Sequence, residues 1–226
     1  MLEKILDARN KYLSQSVPGK TFAEVGGLWG TVNEKVSVAH KYGATALTMI
    51  DITEEGGDLW AAFDERMNKK SVSDYKCVIA DICDYEGDTF DVVHCSGVLY
   101  HHPNPQILLA ALRSITRETL ILSSAVTQEK VKNKHGCYEI PPSGVLFVPA
   151  LNDQERAILG EYWRGVGAEA HGITEPAHYT PTAFGPWWWL PTKTSMAGMA
   201  RAAGFEVIDE SPIWSGNAHT LHLKRI

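Results

Sequence analysis

The sequence lacks several features that would assign it to a broad class of protein. Its 226 residues contain no apolar run long enough to cross a bilayer, and the opening "MLEKILDARNKYL" lacks the apolar core and cleavage site of a secretory signal. The 21 Lys and Arg residues are fewer than the 27 Asp and Glu residues and are not clustered. We therefore expect a cytoplasmic protein that does not enter a membrane, and the acidic balance disfavours RNA or DNA as a substrate.

Cysteine and metal-binding motifs are also scarce. The four cysteines include no CxxC pair, and three lie in or beside predicted buried strands, which is typical of reduced cysteines rather than of disulfides or zinc ligands. No HxxxH or other compact ligand set is present, so the sequence predicts no metal site. Length and apolar fraction are those of one globular domain, which we take to span residues 1–226.

Short apolar strands and amphipathic helices alternate along most of the chain. A leading helix within residues 1–20 ends at Pro18 and Gly19, and the next elements are "TFAEV", "TVNEKVSVAHKYG", "ATALTMID", "DLWAAFDERMNK", "KCVIAD", "FDVVHC", "PQILLAALRSITR" and "TLILSS". This order predicts parallel strands joined by crossover helices, in a Rossmann-like doubly wound α/β sheet. After the helix "TKTSMAGMARAAG", the strands "FEVIDE" and "HTLHLKRI" predict an antiparallel hairpin at the sheet edge.

Residues 126–190 interrupt this alternation with a stretch rich in Pro, Gly, His and aromatic residues. The stretch is too long for a passive connection, so we expect a lid or a substrate-binding insertion. It ends in Trp187, Trp188 and Trp189, which cannot all face one core. At least one of these rings is expected to line a cleft that suits a sugar, an aromatic ring or a base, with anchoring of the insertion on the sheet as the alternative.

A glycine-rich turn, "EVGGLWG", follows the first strand. Glycines here let the backbone turn tightly and approach a ligand, so Gly26, Gly27 and Gly30 predict a cofactor site, although close packing of strand and helix also uses glycine. Asp51 ends the second strand at the spacing of a ribose-binding acid, with helix capping as the alternative. Asp81 ends the third predicted strand, where it can receive an adenine amino group or lie in a solvated turn.

Glu24 precedes the glycine turn, and an acid at the end of an apolar strand costs energy unless a partner is nearby. The order of "EVGGLWG", "MIDI", "ADICDYEGDTFDVVHCSGVLYHHPNP" and "WWWLPTKTSMAGMARAAGFEVID" resembles class I S-adenosylmethionine-dependent methyltransferases, from about Phe22 to the C-terminus. The resemblance is nearest to the branch that contains tRNA wobble-uridine methyltransferases and many small-molecule and sugar methyltransferases. It implies S-adenosyl-L-methionine as the cofactor and a seven-stranded sheet whose last strand is antiparallel.

The resemblance also implies where the parts of the cofactor would lie. The glycine turn would lie near the methionine part, although Leu28 occupies a position that the family fills with glycine. The second strand would hold the ribose hydroxyls, the third would frame the adenine, and the fourth would pass beneath the methyl sulfonium. The cofactor-binding residues implied in this way are Glu24, Gly26, Gly27, Leu28, Gly30, Asp51, Ile52, Asp81, Ile82, Cys95 and Ser96.

Methyl transfer requires alignment and desolvation of the acceptor, and a hydroxyl acceptor usually also requires a base. His101 and His102 follow the fourth strand, and either is a candidate base, with loop packing or substrate positioning as the alternative. His135 and His178 in the insertion are rival bases. The residues predicted to contact the acceptor are Tyr100, His135, Tyr138, His178, Trp187, Trp188 and Trp189.

We therefore expect a methyltransferase that acts on an oxygen atom of a small molecule or a sugar. The alternatives are a tRNA wobble-uridine modifying enzyme and a non-catalytic module that keeps the fold, the latter because Leu28 departs from the family pattern. A nicotinamide-dependent enzyme is disfavoured by the terminal hairpin and by "GVLYHHPNP". The sequence is compatible with a homodimer.

Overall fold

A computed structural model describes residues 7–29, 34–168, 170–176 and 186–226. The first half of the chain contains α1 (Ala8–Ser16), β1 (Thr21–Val25), α2 (Val36–Lys41), β2 (Ala46–Asp51), α3 (Asp58–Lys69), β3 (Lys76–Ile79), β4 (Phe90–Ser96), α4 (Pro105–Ile115) and β5 (Thr116–Ala125). The second half contains β6 (Lys130–Asn133), β7 (Gly136–Glu139), β8 (Val145–Phe147), α5 (Asp153–Gly165), β9 (Trp189–Pro191), α6 (Lys193–Ala202), β10 (Phe205–Ile213) and β11 (Ala218–Arg225).

Seven strands form one mixed sheet in the order β10-β11-β5-β4-β1-β2-β3. The strands β1 to β5 are parallel, whereas β11 runs antiparallel to both β5 and β10. The predicted doubly wound fold and its antiparallel C-terminal hairpin are therefore confirmed. Because the first five strands are parallel, their carboxyl ends lie along one edge of the sheet, which we call the carboxyl edge.

Helices cover both faces of the sheet. Leu108 of α4 and Met196 of α6 belong to the core on one face, and Leu13 of α1, Val36 of α2 and Phe63 of α3 belong to the core on the other. Burial on both faces explains why the parallel strands are nearly continuous apolar runs in the sequence. Leu2, Ile5 and Leu6, which the helical pattern places on the leading helix, lie outside the described residues.

The insertion, residues 126–190, contains more regular structure than its sequence pattern predicts. β6 pairs with β7, β8 pairs with β9, and α5 packs with them around a third core that includes Trp163, Trp187 and Leu190. A capping box begins α5, because Asn152 accepts from the N–H of Glu155 and Glu155 accepts from the N–H of Asn152. No helix in the described ranges exceeds 13 residues, which is too short to span a bilayer.

Candidate functional site

The glycine turn after β1 lies against the segment that follows β4. Gly26 has a left-handed φ of 72°, and a Cβ at this position would lie 2.3 Å from Cγ2 of Val98. A Cβ on Gly27 would lie 2.6 Å from Cδ of Glu24. Close packing therefore requires both glycines, whatever ligand the turn also approaches. Gly30 lies outside the described residues.

Glu24 is buried near the end of β1 and has the partners that a buried acid requires. Its Oε2 accepts from the backbone N–H groups of Lys35, at 2.7 Å, and Val36, at 3.2 Å, where α2 begins. Its Oε1 accepts from Nδ1 of His94, at 3.2 Å. His94 lies directly opposite Glu24 in the parallel pairing of β1 with β4. Glu24 therefore ties the start of α2 to the centre of the sheet.

The sequence analysis missed His94, although a histidine inside the apolar strand "FDVVHC" is an unusual residue in that setting. Its side chain is almost completely buried. Burial lowers the pKa of His94 and outweighs the opposing hydrogen bond to Glu24, so the ring is neutral at pH 7. Among the described residues, none hydrogen-bonds to its Nε2.

Asp51 is buried at the end of β2 and connects that strand to the glycine turn. Its Oδ2 accepts from the backbone N–H of Leu28, at 3.2 Å. Its Oδ1 accepts from the N–H and the hydroxyl of Thr53, at 3.0 and 2.7 Å. Gly57 is the N-cap of α3, so the alternative that Asp51 caps a helix is wrong. The side chain of Leu28 is buried in the core. Ile52, which follows Asp51 in the sequence, is 53% exposed.

Asp81 lies in the turn after β3, which ends at Ile79 rather than at the acid. Its Oδ1 accepts from the N–H of Cys83, at 2.9 Å, and Ile82 between them is buried. Nε2 of His102 lies 3.5 Å from Sγ of Cys83. The structure therefore brings His102 to the β3 side of the carboxyl edge.

Asp81, Cys83 and His102 place their possible ligand atoms within 4.8 Å of one another, a set that the sequence did not predict. Nδ1 of His102 accepts from the backbone N–H of Asn104, at 3.0 Å. In the neutral ring Nε2 then carries the proton and faces the sulfur as a donor, whereas a metal would need an unprotonated Nε2. Burial and the nearby Asp81 raise the pKa of Cys83 to about 11, so the thiol is protonated at neutral pH beside the imidazole.

His101 faces the insertion instead. Its ring centroid lies 4.4 Å from that of Tyr100 and 6.5 Å from that of Trp187. Burial raises the pKa of Tyr100 to about 12. Gly97, with a φ of 84°, follows β4, and a Cβ there would have the Tyr100 hydroxyl at 3.7 Å as its nearest neighbour. The Tyr100 hydroxyl therefore packs beside the backbone that follows β4.

The three consecutive tryptophans do not share one core. Trp187 is buried in the core of the insertion, whereas the N–H of Trp188 donates to the carbonyl of Tyr100, at 2.7 Å. Nε1 of Trp189 donates to the carbonyl of Pro103, at 2.8 Å, and its ring lies 4.3 Å from that of Phe147, which is 38% exposed. Trp187 therefore anchors the insertion, as one interpretation of the run predicts, and the cleft-lining role of the other two rings stays a prediction.

The remaining predicted residues divide between the sheet and the insertion. Cys95 is buried in β4, and the hydroxyl of Ser96 at the strand end accepts from Arg9. His135 pairs with Glu161 of α5, at 2.7 Å, and Tyr138 lines a pocket of about 180 Å³ within the insertion. Neither has a described contact with the carboxyl edge. His178 lies outside the described residues.

Comparison with known families decides what this site belongs to. Residues 3–210, most of the chain, match the family described as a methyltransferase domain. The chain belongs to this methyltransferase family. Its members take the methyl group from S-adenosylmethionine, so the protein is an S-adenosylmethionine-dependent enzyme.

Solved methyltransferases share the fold at low sequence identity. Magnesium protoporphyrin IX methyltransferase from Synechocystis PCC 6803 gives a TM-score of 0.62 at 15% identity, over 97% of this chain and 81% of that one. Mitomycin 7-O-methyltransferase gives 0.58 at 11% identity, over 97% of this chain and 54% of that one. The 1,6-didemethyltoxoflavin-N1-methyltransferase of Burkholderia thailandensis gives a TM-score of 0.56 at 14% identity, over 97% of this chain and 79% of that one. No curated protein sequence matches significantly.

The carboxyl edge of this methyltransferase fits the cofactor chemically. Oδ2 of Asp51 accepts one hydrogen bond and Oδ1 of Asp81 accepts one, so both carboxylates keep acceptor capacity for hydroxyl or amino groups. Ile82 is a buried apolar side chain beside Asp81, and the Tyr100 hydroxyl lies 3.7 Å from where a Cβ on Gly97 would be. The residues present therefore offer hydrogen-bond acceptors for a ribose and an adenine.

Proposed function

We propose that this methyltransferase methylates an oxygen atom of a small-molecule acceptor. The observation that carries the proposal is the contact of His101 and Tyr100 with Trp187, which joins the carboxyl edge to the aromatic insertion. An acceptor seated there would have a possible base on one side and apolar rings on the other. By their names, the structurally similar enzymes act on a magnesium porphyrin, on mitomycin and on didemethyltoxoflavin, which supports a small-molecule acceptor.

For the cofactor, we assign the ribose hydroxyls to the spare acceptor capacity of Asp51 and the adenine amino group to Asp81. The apolar side chain of Ile82 would cover one face of the adenine. His102 and Cys83, hydrogen-bonded to each other beside Asp81, would complete this end of the site. Bound S-adenosylmethionine would supply an electrophilic methyl group on its sulfonium.

We assign the role of general base to His101 rather than to His102. His102 contacts Asn104 through Nδ1 and Cys83 through Nε2, on the side where the adenine would lie and away from the acceptor. His101 lies on the acceptor side, and an imidazole is suited to taking a hydroxyl proton near neutral pH. Tyr100, with its pKa raised to about 12, stays protonated and would orient the acceptor through its hydroxyl.

The aromatic residues of the insertion would keep the reacting atoms dry. Trp187 is buried against Tyr100, with ring centroids 4.9 Å apart, and Trp188 is hydrogen-bonded to the same loop. Exclusion of water strengthens the electrostatic interactions in the site and removes a competing acceptor. Alignment and desolvation by the chain's own residues would then provide much of the rate enhancement.

The proposal is tested by calorimetric titration of S-adenosylhomocysteine into the wild type, Asp51→Asn and a matched control, Asp91→Asn. Asp91 is a matched control because it accepts from the N–H and the hydroxyl of Thr21, at 2.9 and 2.8 Å, just as Asp51 accepts from those groups of Thr53. Asp91 lies at the opposite edge of the sheet, away from the proposed cofactor site. Loss of charge-assisted hydrogen bonds worth about 1.5–3 kcal/mol should weaken binding by Asp51→Asn roughly 10- to 150-fold. Asp91→Asn should bind like the wild type.

No binding by a folded wild type, or equal weakening in the two variants, would contradict the proposed cofactor site. The acceptor is then tested with a panel of phenols and sugars, scored by release of S-adenosylhomocysteine and by mass spectrometry of the product. We expect O-methylated products. Methylation confined to nitrogen or carbon, or to tRNA with salt-sensitive binding, would replace the oxygen assignment.

A further inference from the structure

Arg9 of the leading helix reaches the carboxyl edge at the end of β4. Its Nη1 donates to the hydroxyl of Ser96, at 3.3 Å, across 87 residues of sequence. The side chain is only 17% exposed, so the guanidinium is largely withdrawn from solvent. Ser96 is the last residue of β4, the strand that by the family resemblance would pass beneath the methyl sulfonium. A cation of α1 therefore lies directly beside the proposed site.

Asp7 holds the guanidinium in one orientation. Nε of Arg9 donates to the two carboxylate oxygens of Asp7, at 2.9 and 3.1 Å, and Nη2 donates to Oδ2, at 2.8 Å. Burial opposes ionisation of Asp7, but the hydrogen bonds and charges of Arg9 and Lys35 outweigh it and hold the pKa of this carboxyl well below its usual range. This bidentate ion pair fixes the orientation of the planar guanidinium group, so Arg9 is preorganised to bind a further ligand.

Asp7 is shared by two cations. Lys35 is 4% exposed, and its Nζ donates to Asp7, at 2.8 Å, and to the side-chain oxygen of Asn10, at 3.0 Å. Asp7 is thus the one carboxylate among the described residues that pairs with both cations. Glu24 instead binds backbone N–H groups and His94. Asp7 is therefore divided between two cations, which leaves Arg9 with N–H donors for a further anionic partner.

The order of the strands indicates which anion this is. The proposed function assigns the adenine to the β3 side and the ribose to the end of β2, and the next strands along the sheet are β1 and β4. An extended cofactor would therefore direct its amino-acid end toward β4 and Arg9. The methionine carboxylate is its one negatively charged group. A guanidinium has five N–H donors, and one hydrogen each on Nη1 and Nη2 remains after the bonds to Ser96 and Asp7.

We propose that Arg9, held by Asp7, binds the carboxylate of the cofactor's methionine part, so that the leading helix forms part of the cofactor site. This inference rests on the proposed function, because it requires the cofactor to lie along the carboxyl edge. Arg9 would then distinguish the intact amino-acid end from cofactor fragments that lack it.

The test compares two nucleosides by calorimetry: S-adenosylhomocysteine and 5′-methylthioadenosine, which keeps the adenosine and the thioether but lacks the amino-acid end. Arg9→Met should weaken binding of S-adenosylhomocysteine roughly 10- to 150-fold, as expected for a lost charge-assisted hydrogen bond, and leave 5′-methylthioadenosine unchanged. Lys11→Met is the matched control, because Lys11 lies on the same helix in an exposed pair with Asp209. It should alter neither affinity.

Arg9→Lys provides a second variant, which keeps the positive charge but loses the planar guanidinium group. It should weaken the binding of S-adenosylhomocysteine only, and by less than Arg9→Met does. Unchanged affinity for S-adenosylhomocysteine in a folded Arg9 variant, or equal weakening of both nucleosides, would overturn the inference and leave the proposed function standing. Binding of neither nucleoside by the folded wild type would overturn the proposed function, and this inference with it.

Discussion

Replacing Gly26 by alanine should destabilise the fold for two separable reasons. The first is the backbone, because the left-handed φ of 72° costs an alanine about 1–2 kcal/mol. The second is space, because the new Cβ would lie 2.3 Å from Cγ2 of Val98, and such overpacking typically costs about 1–3 kcal/mol. The free energy of unfolding should therefore fall by about 2–5 kcal/mol in total.

Two controls separate these contributions. Gly19 has a similar φ of 74°, but a Cβ there would meet no atom within 4 Å, so Gly19→Ala should show the backbone cost alone. In a Val98→Ala background, Gly26→Ala should likewise keep only its backbone cost. The double-mutant cycle between positions 26 and 98 should then give a coupling of about 1–3 kcal/mol.

Urea unfolding without cofactor measures each free energy by linear extrapolation. If Gly26→Ala were no more destabilising than Gly19→Ala, or if Val98→Ala brought no relief, the close approach of the glycine turn to the segment after β4 would be refuted. The result also bears on the sequence motif itself, because it measures how strongly packing alone requires Gly26.

The remaining predictions concern buried ionisable side chains, with an exposed ion pair as a control. Burial lowers the pKa of His94 in the folded protein, so the unfolded chain binds a proton at this histidine more readily. The free energy of unfolding should therefore fall as the pH drops below about 6.5, by at most about 1.4 kcal/mol per pH unit. In urea unfolding from pH 7.5 to 5.5, His94→Gln should make the free energy of unfolding depend less on pH. The remaining dependence would come from His222, whose pKa burial also lowers. An unchanged pH dependence in His94→Gln would contradict the assignment to His94. Glu34→Ala should lower the free energy of unfolding by about 2–3 kcal/mol, because the buried carboxylate accepts from Nε of Arg66, at 2.9 Å, and from the N–H of Ser37, at 2.8 Å. Glu65→Ala, which breaks an exposed pair with Lys69, should leave the unfolding midpoint unchanged, and equal loss in both variants would refute the distinction.

One local signal in the sequence went unused. Asn152 and Glu155 have the spacing of a capping box, and Ile158, Leu159 and Trp163 follow at helical intervals. These residues could have predicted α5 inside the insertion. The composition of the surrounding segment, rich in Pro, Gly and aromatic residues, obscured a pattern that depends on only a few positions.

The sequence by itself determined the alternation of strands and helices, the glycine turn after β1, the acid that ends β2 and the acid that follows β3. These features depend on hydrophobic period and turn chemistry within a few residues, so they can be recognised without knowing which segments meet. Only the tertiary structure paired Glu24 with His94, which are 70 residues apart, and brought Arg9 to Ser96. It also turned His101 toward Trp187 of the insertion and its sequence neighbour His102 toward Cys83 after β3. Such contacts depend on strand order, register and side-chain direction, which arise only when distant parts of the chain pack together.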